Sequence, residues 1–145
     1  MAVSAKLYGK FFNALADKTV DLNSDTIKVA LATSSYTPDQ DAHDFFNDIT
    51  NEVTGTGYTA GGATLGSPTF SYTGASNVWA FDGADVSWTS STITARYAIV
   101  YDSTPGTSAT NPLICYVDFG ADVSTTAGTF TITWDAAGIF TITVS

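Results

Sequence analysis

Through most of its second half this chain alternates β-branched and aromatic residues with small polar ones, most plainly in Phe130-Thr131-Ile132-Thr133-Trp134 and Ile139-Phe140-Thr141-Ile142-Thr143-Val144. Successive side chains of a strand point to opposite faces, so a period of two suits a half-buried strand, whereas a helix buries a period of 3.6. Thr, Val, Ile, Tyr, Phe and Trp also fit a pleated surface better than other residues do. The alternation therefore commits the chain to β-structure.

The strands it predicts are short. Residues 26–33 alternate Ile27, Val29 and Leu31 with Thr26, Lys28 and Ala30, as a strand with one buried face should. Residues 69–73 form another strand. Residues 78–81 meet the turn Asp82-Gly83-Ala84-Asp85 and return through 86–88, which reads as a hairpin. Residues 92–101 put Ile93, Ala95, Tyr97, Ile99 and Tyr101 on one face, and residues 113–119 put Leu113, Cys115, Val117 and Phe119 together. Residues 130–134 and 139–144 flank Asp135-Ala136-Ala137-Gly138 as a second hairpin, with Gly138 free to take a left-handed conformation.

The first half is less regular. Leu7, Tyr8, Phe11, Phe12 and Leu15 recur at spacings of three and four, which predicts an amphipathic helix over residues 6–17, weakened at Gly9. Residues 36–48 carry Pro38, a cluster of acids and Phe45-Phe46, and residues 54–66 form a Gly-rich loop with room for one short strand. At 145 residues the chain has the length of one domain, which removes roughly 68–70% of its unfolded surface from water. The expected fold is mainly β, an antiparallel β-sandwich or jelly-roll-like barrel, with residues 1–18 a helical lead-in or docking arm and 19–145 the β domain.

Chemistry is scarce. The chain has one His, His43, one Cys, Cys115, and one Arg, Arg96. Cys115 lies in an apolar run with no basic neighbour in sequence, so it reads as a buried hydrophobe rather than a reactive thiol. No Gly-x-Ser-x-Gly elbow or phosphate-binding loop accompanies the serines, and an enzyme is not expected. The run Asp39-Gln40-Asp41-Ala42-His43-Asp44 spaces oxygen ligands by two, like the start of a calcium loop, but the Gly and closing Glu are missing from their positions, and Asp caps of a short helix near Ala42 account for it equally well. No catalytic residue, metal or cofactor is therefore assigned.

The net charge of −9 disfavours nucleic acid, because phosphate recognition needs clustered Lys and Arg and the chain has five, four of them before residue 29. No apolar run approaches the ~18–20 residues of a membrane span, and the first residues lack an apolar signal core, so synthesis and folding in the cytoplasm are expected. Trp79, Trp88 and Trp134 fit either core packing or a stacking platform for sugar rings.

The succession Asp25-Thr26-Ile27-Lys28-Val29-Ala30-Leu31, Thr33-Ser34-Ser35-Tyr36-Thr37-Pro38, Asp41-Ala42-His43-Asp44 and Asn51 to Gly62 resembles a family of small virion proteins of tailed bacteriophages. The likeness continues through Ser91 to Ala98, Leu113 to Phe119 and Phe130 to Trp134, and so covers most of the chain. It implies a capsid decoration or cement protein on the virion surface, made in the host cytoplasm, whose partner is the major capsid protein. A homo-oligomer such as a trimer fits it, and a tail, neck or fibre protein with a receptor- or glycan-binding role is the alternative. Lys6, Lys10, Phe11, Phe12 and Tyr58 are the expected docking residues, because they belong to the segments a β-sandwich core does not itself require.

Overall fold

A computed structural model describes residues 2–145. Its elements are β1 (Ser4–Leu7), α1 (Phe11–Ala16), β2 (Ile27–Ala32), a 3-10 turn (Phe46–Asp48), β3 (Ala63–Thr64), β4 (Thr69–Thr73), β5 (Val78–Asp82), β6 (Val86–Ser91), β7 (Thr94–Asp102), β8 (Leu113–Ser124), β9 (Gly128–Ile132) and β10 (Phe140–Thr143). Every named pairing is antiparallel. One layer is a five-stranded sheet in the order β1-β8-β7-β2-β3; the facing layer holds the sheets β10-β5-β4 and β6-β9. The fold is a mainly β, antiparallel sandwich, as its alternation requires.

The main core lies between the layers, where Val29, Leu31, Ala98, Val100 and Ile114 of the larger sheet meet Phe81, Trp88, Phe130 and Ile132. A second cluster lies on the outer face of that sheet: Ala30, Ala32, Ile99, Tyr101 and Tyr116 are roofed by Tyr36, Phe46 and Ile49. The expectation of a single buried face for residues 26–33 is corrected by this roof. The chain from Thr33 onward folds back over β2, with Phe46 stacked on Tyr101 at a centroid distance of 4.1 Å.

Three further expectations change. The helix over residues 6–17 shrinks to the six residues of α1, because Lys6 and Leu7 complete a strand that finds its ladder on β8 and Tyr8 extends it by donating its N–H to Ile114 O. Neither hairpin forms. Instead β5 pairs with β10 and β6 with β9, so residues 78–91 run beside 128–143 as one bent ribbon. Five steps separate Phe81 from Val86 and eight separate Ile132 from Phe140, so three extra residues crowd the outside of the bend. Gly138 makes that crowding tolerable: its φ is +113°, and a Cβ there would lie 2.6 Å from Phe81 O.

The third change concerns faces. Between Ala95 and Tyr97 the ladder breaks, with residues 119–122 of β8 opposing Arg96 alone. Ile93 and Ala95 therefore join Ala98 and Val100 in the main core, while Tyr97, Ile99 and Tyr101 face the roof. A second irregularity at Ile114 sends Leu113 to the roof as well, leaving Cys115, Val117 and Phe119 inside. Such bulges invert the pleat, and a count of alternating residues passes straight through them.

Gly62 and Asp102 expose the tolerances of the packing. Gly62 has φ +76°, and a Cβ there would overlap the Val29 carbonyl, whereas Gly106, at φ +98°, faces open space. Gly62→Ala should lose about 3 kcal/mol or more in urea denaturation, and Gly106→Ala only the backbone strain of about 1 kcal/mol. Asp102 is fully buried; its Oδ1 accepts from Thr104 N at 2.8 Å, but its Oδ2 meets no donor. Burial, together with the facing Asp25 carboxylate, raises its carboxyl from 3.8 to about 6. The folded state thus holds this proton more tightly than the unfolded chain, so the contribution is complete below about pH 4 and fades as pH rises through 6. Asp102→Asn, whose amide can donate to Asp25, should raise the thermal midpoint at pH 7.5 and flatten its decline between pH 5 and 7.

Candidate docking surface

The residues expected to dock divide into an exposed set and an interior set. Phe11 and Phe12 are neighbours on a six-residue helix and their rings touch at a centroid distance of 5.5 Å, yet they are buried unequally: Phe11 is 1% exposed, edge-on to Phe140 at 5.7 Å, while Phe12 is 45% exposed. Lys6 is exposed on the edge strand β1. Lys10 precedes α1, and its Nζ lies 3.1 Å from Asp44 Oδ2 and 3.1 Å from Ala42 O, which ties the helix to the acidic loop while leaving half of the side chain in water. Phe11 is thereby corrected from a docking residue to a core residue.

Tyr58 is half-buried and tied inward. Its hydroxyl donates to Glu52 Oε1 at 2.7 Å and accepts from Leu31 N at 3.0 Å, and the same Glu52 oxygen accepts from Gly61 N at 2.6 Å. Burial raises the Tyr58 hydroxyl well above its ordinary range, with the Glu52 carboxylate adding to the effect. The ring pins the Gly-rich loop to β2 and stacks obliquely on Trp88.

What remains exposed is a strip along β1 and α1. Val3, at 65% exposure, Lys6 and Phe12 border two open grooves with volumes of about 590 and 600 Å³. The grooves share Ala5 and Ile139, so they run together between β1 and the β9–β10 side of the facing layer.

The acidic loop has a structural explanation. Asp39 Oδ1 accepts from Asp41 N and Ala42 N at 3.0 and 2.9 Å, and these bonds, Ala42's first, hold its carboxyl below the usual range. Asp48 Oδ2 accepts from Asp44 N and Phe45 N. Among the described residues no group of three or more His, Cys, Asp or Glu side chains is arranged to hold a metal ion. His43 Nδ1 accepts from Asp39 N at 3.3 Å, so the Tyr36 hydroxyl, 2.9 Å away, donates to it and accepts in turn from Tyr8. This relay joins the acidic loop to β1, and it holds the imidazole on a tyrosine rather than on a nucleophile.

The tryptophans separate by environment. Trp88 is 5% exposed and edge-on to Phe130, so it is core. Trp134 donates its indole N–H to Ala84 O at 3.1 Å and braces the ribbon's bend. Trp79 stacks on Phe70 at 4.8 Å and leans on Tyr72, which is 46% exposed. Cys115 is buried, and burial pushes its thiol up to about 12.

Comparison of the chain with family models, curated proteins and solved structures gives no match.

The division of the two phenylalanines is measurable. Phe11→Ala should cost about 3–5 kcal/mol in chemical denaturation, as other buried ring deletions do, and Phe12→Ala should stay within about 0.5 kcal/mol.

Proposed function

We propose that this chain is a structural component of a tailed-phage particle, a decoration or cement protein that binds the outer surface of the major capsid protein shell. The carrying observation is the strip along β1 and α1. It leaves Val3, Phe12 and Lys6 facing outward on a molecule of net charge −9. The family resemblance of residues 25–62 supports the same reading. A protein that binds only the assembled shell stabilises it by mass action, by about 2.7 kcal/mol per site at a concentration of ~100 Kd. Repeated over many sites, that term resists internal pressure, and the acidic exterior avoids capture by the packaged genome.

A second reading rests on the Phe70–Trp79–Tyr72 ladder. These rings share the inner face of their sheet with Phe81 and run out from the core to the exposed Tyr72, and aromatic rings at such a rim suit the apolar faces of sugars, as in a receptor-binding tail or fibre protein. The two readings separate in one comparison. Purified protein is mixed with heads assembled without it, and bound copies per capsid subunit are counted alongside the temperature of shell rupture. A fixed ratio with a raised rupture temperature is expected. Absence of binding, with saturable glycan binding that Tyr72→Ala removes, would transfer the protein to the tail.

A further inference from the structure

The sandwich is closed on one side and open on the other. On the closed side the chain passes from β3 to β4 in four residues, 65–68, and Leu65 N–H donates to Ile27 O. On the open side β1 and β10 each lack an outer neighbour. The ladder fixes which backbone groups face outward. Tyr8 N–H bonds Ile114 O in the same register that pairs Lys6 with Tyr116 and Ser4 with Asp118, so Val3, Ala5 and Leu7 turn their N–H and C=O groups away from β8. Gln40 Nε2 donates to the Leu7 carbonyl at 2.9 Å, and the others have no such partner. On β10, Val144 N–H bonds Asn77 O in register with Ile142 and Trp79, so Thr141 and Thr143 turn theirs outward.

Two unpaired edges thus flank one continuous apolar groove. We propose that this groove receives a single extended strand from a partner polypeptide, which pairs with β1 on one side and with β10 on the other and so completes the open side of the sandwich. The inference rests on the reading that the protein docks on a protein shell, and it names how. Outward backbone donors and acceptors along an apolar slot call for an extended chain with apolar side chains at alternate positions, the arrangement of β-strand addition. From Val3 to Leu7 the edge spans about 17 Å of strand, enough for five residues. Lys6 makes no ion pair among the described residues, and it lines the groove, so the incoming strand carries a carboxylate at that end. A second copy is the poorer occupant, because it would bring another −9 of charge to the contact.

The test removes edge donors without touching the fold. Ala5→Pro and Thr141→Pro each delete an N–H that no strand of this chain uses, at edge positions where proline is tolerated. Both variants should keep the wild-type circular dichroism spectrum and melt within a few degrees of it, yet bind heads at least about tenfold more weakly. Hydrogen exchange of the wild-type protein on heads, read by mass spectrometry, should slow in residues 3–7 and 139–143; this measurement stands even if a proline variant unfolds. If wild type binds heads while folded proline variants bind equally well and exchange is unchanged, the strand is overturned and the decoration reading survives. If wild type does not bind heads, the decoration reading fails, and the groove is then tested alone with the capped peptide Asp-Val-Thr-Val-Thr-Val. Amide shifts confined to the same two segments would support the strand site, and none at millimolar peptide would overturn it. A wild-type dimer in sedimentation that Ala5→Pro dissolves would make a second copy the occupant and overturn the foreign strand.

Discussion

From Ala98 to Asp102, strand β7 is shut off from water on both faces, and the rest of the molecule is arranged to keep it so. Its inner face, with Ala98 and Val100, is covered by the second β layer. Its outer face, with Ile99 and Tyr101, is covered by the roof that includes Tyr36, Phe46 and Ile49. A roof without strands cannot satisfy its backbone by ladders, and buried peptide groups need partners. Isolated bridges supply some, Ala32 with Glu52 and Phe45 with Pro112, and side chains supply others: Tyr101 Oη donates to Gly61 O at 2.7 Å. Tyr101 and Gly61 show how that need is met. Tyrosine carries an apolar ring and a polar tip, and glycine lets the loop approach closely enough to be reached.

Strand positions were legible because alternation is a local property. The runs at residues 69–73, 78–82 and 140–143 all appear where the pattern puts them. Strand partners were not legible. Asp82-Gly83-Ala84-Asp85 carries good turn chemistry, yet the chain there bends between two sheets, and β5 pairs with β10, about 60 residues away, rather than with its neighbour β6. Nothing in the local residues encodes that preference. The bulge opposite Arg96 was hidden for a related reason: the extra β8 residues and the bidentate Arg96–Asp118 pair beside them, with Nε–Oδ1 at 2.6 Å and Nη2–Oδ2 at 3.3 Å, meet only in three dimensions.

The same boundary runs through the candidate surface. Lys6 and Phe12 are exposed, as a docking segment needs. Phe11 differs from Phe12 only by one position, and the ring that covers it, Phe140, comes from the far end of the chain. Tyr58 lies in a segment that looks like a free loop, and its reach to Glu52 and Leu31 is what ties it inward. The strip along β1 is backed throughout by β8, so a partner meets a surface already ordered and little further conformational entropy is lost on contact.

The bent ribbon also bears on how the chain emerges during synthesis. Strand β5, with Trp79 and Phe81, is complete long before its partner at residues 140–143 exists, and β6 waits nearly as long for β9. Until then only β4 lies beside β5, and the inner face of that pair has no opposite wall. Contacts of such high sequence separation slow folding and leave unpaired edges exposed in the meantime. The nascent domain is therefore stickiest just before it is finished, and the last strand to arrive is the one that closes the aromatic face.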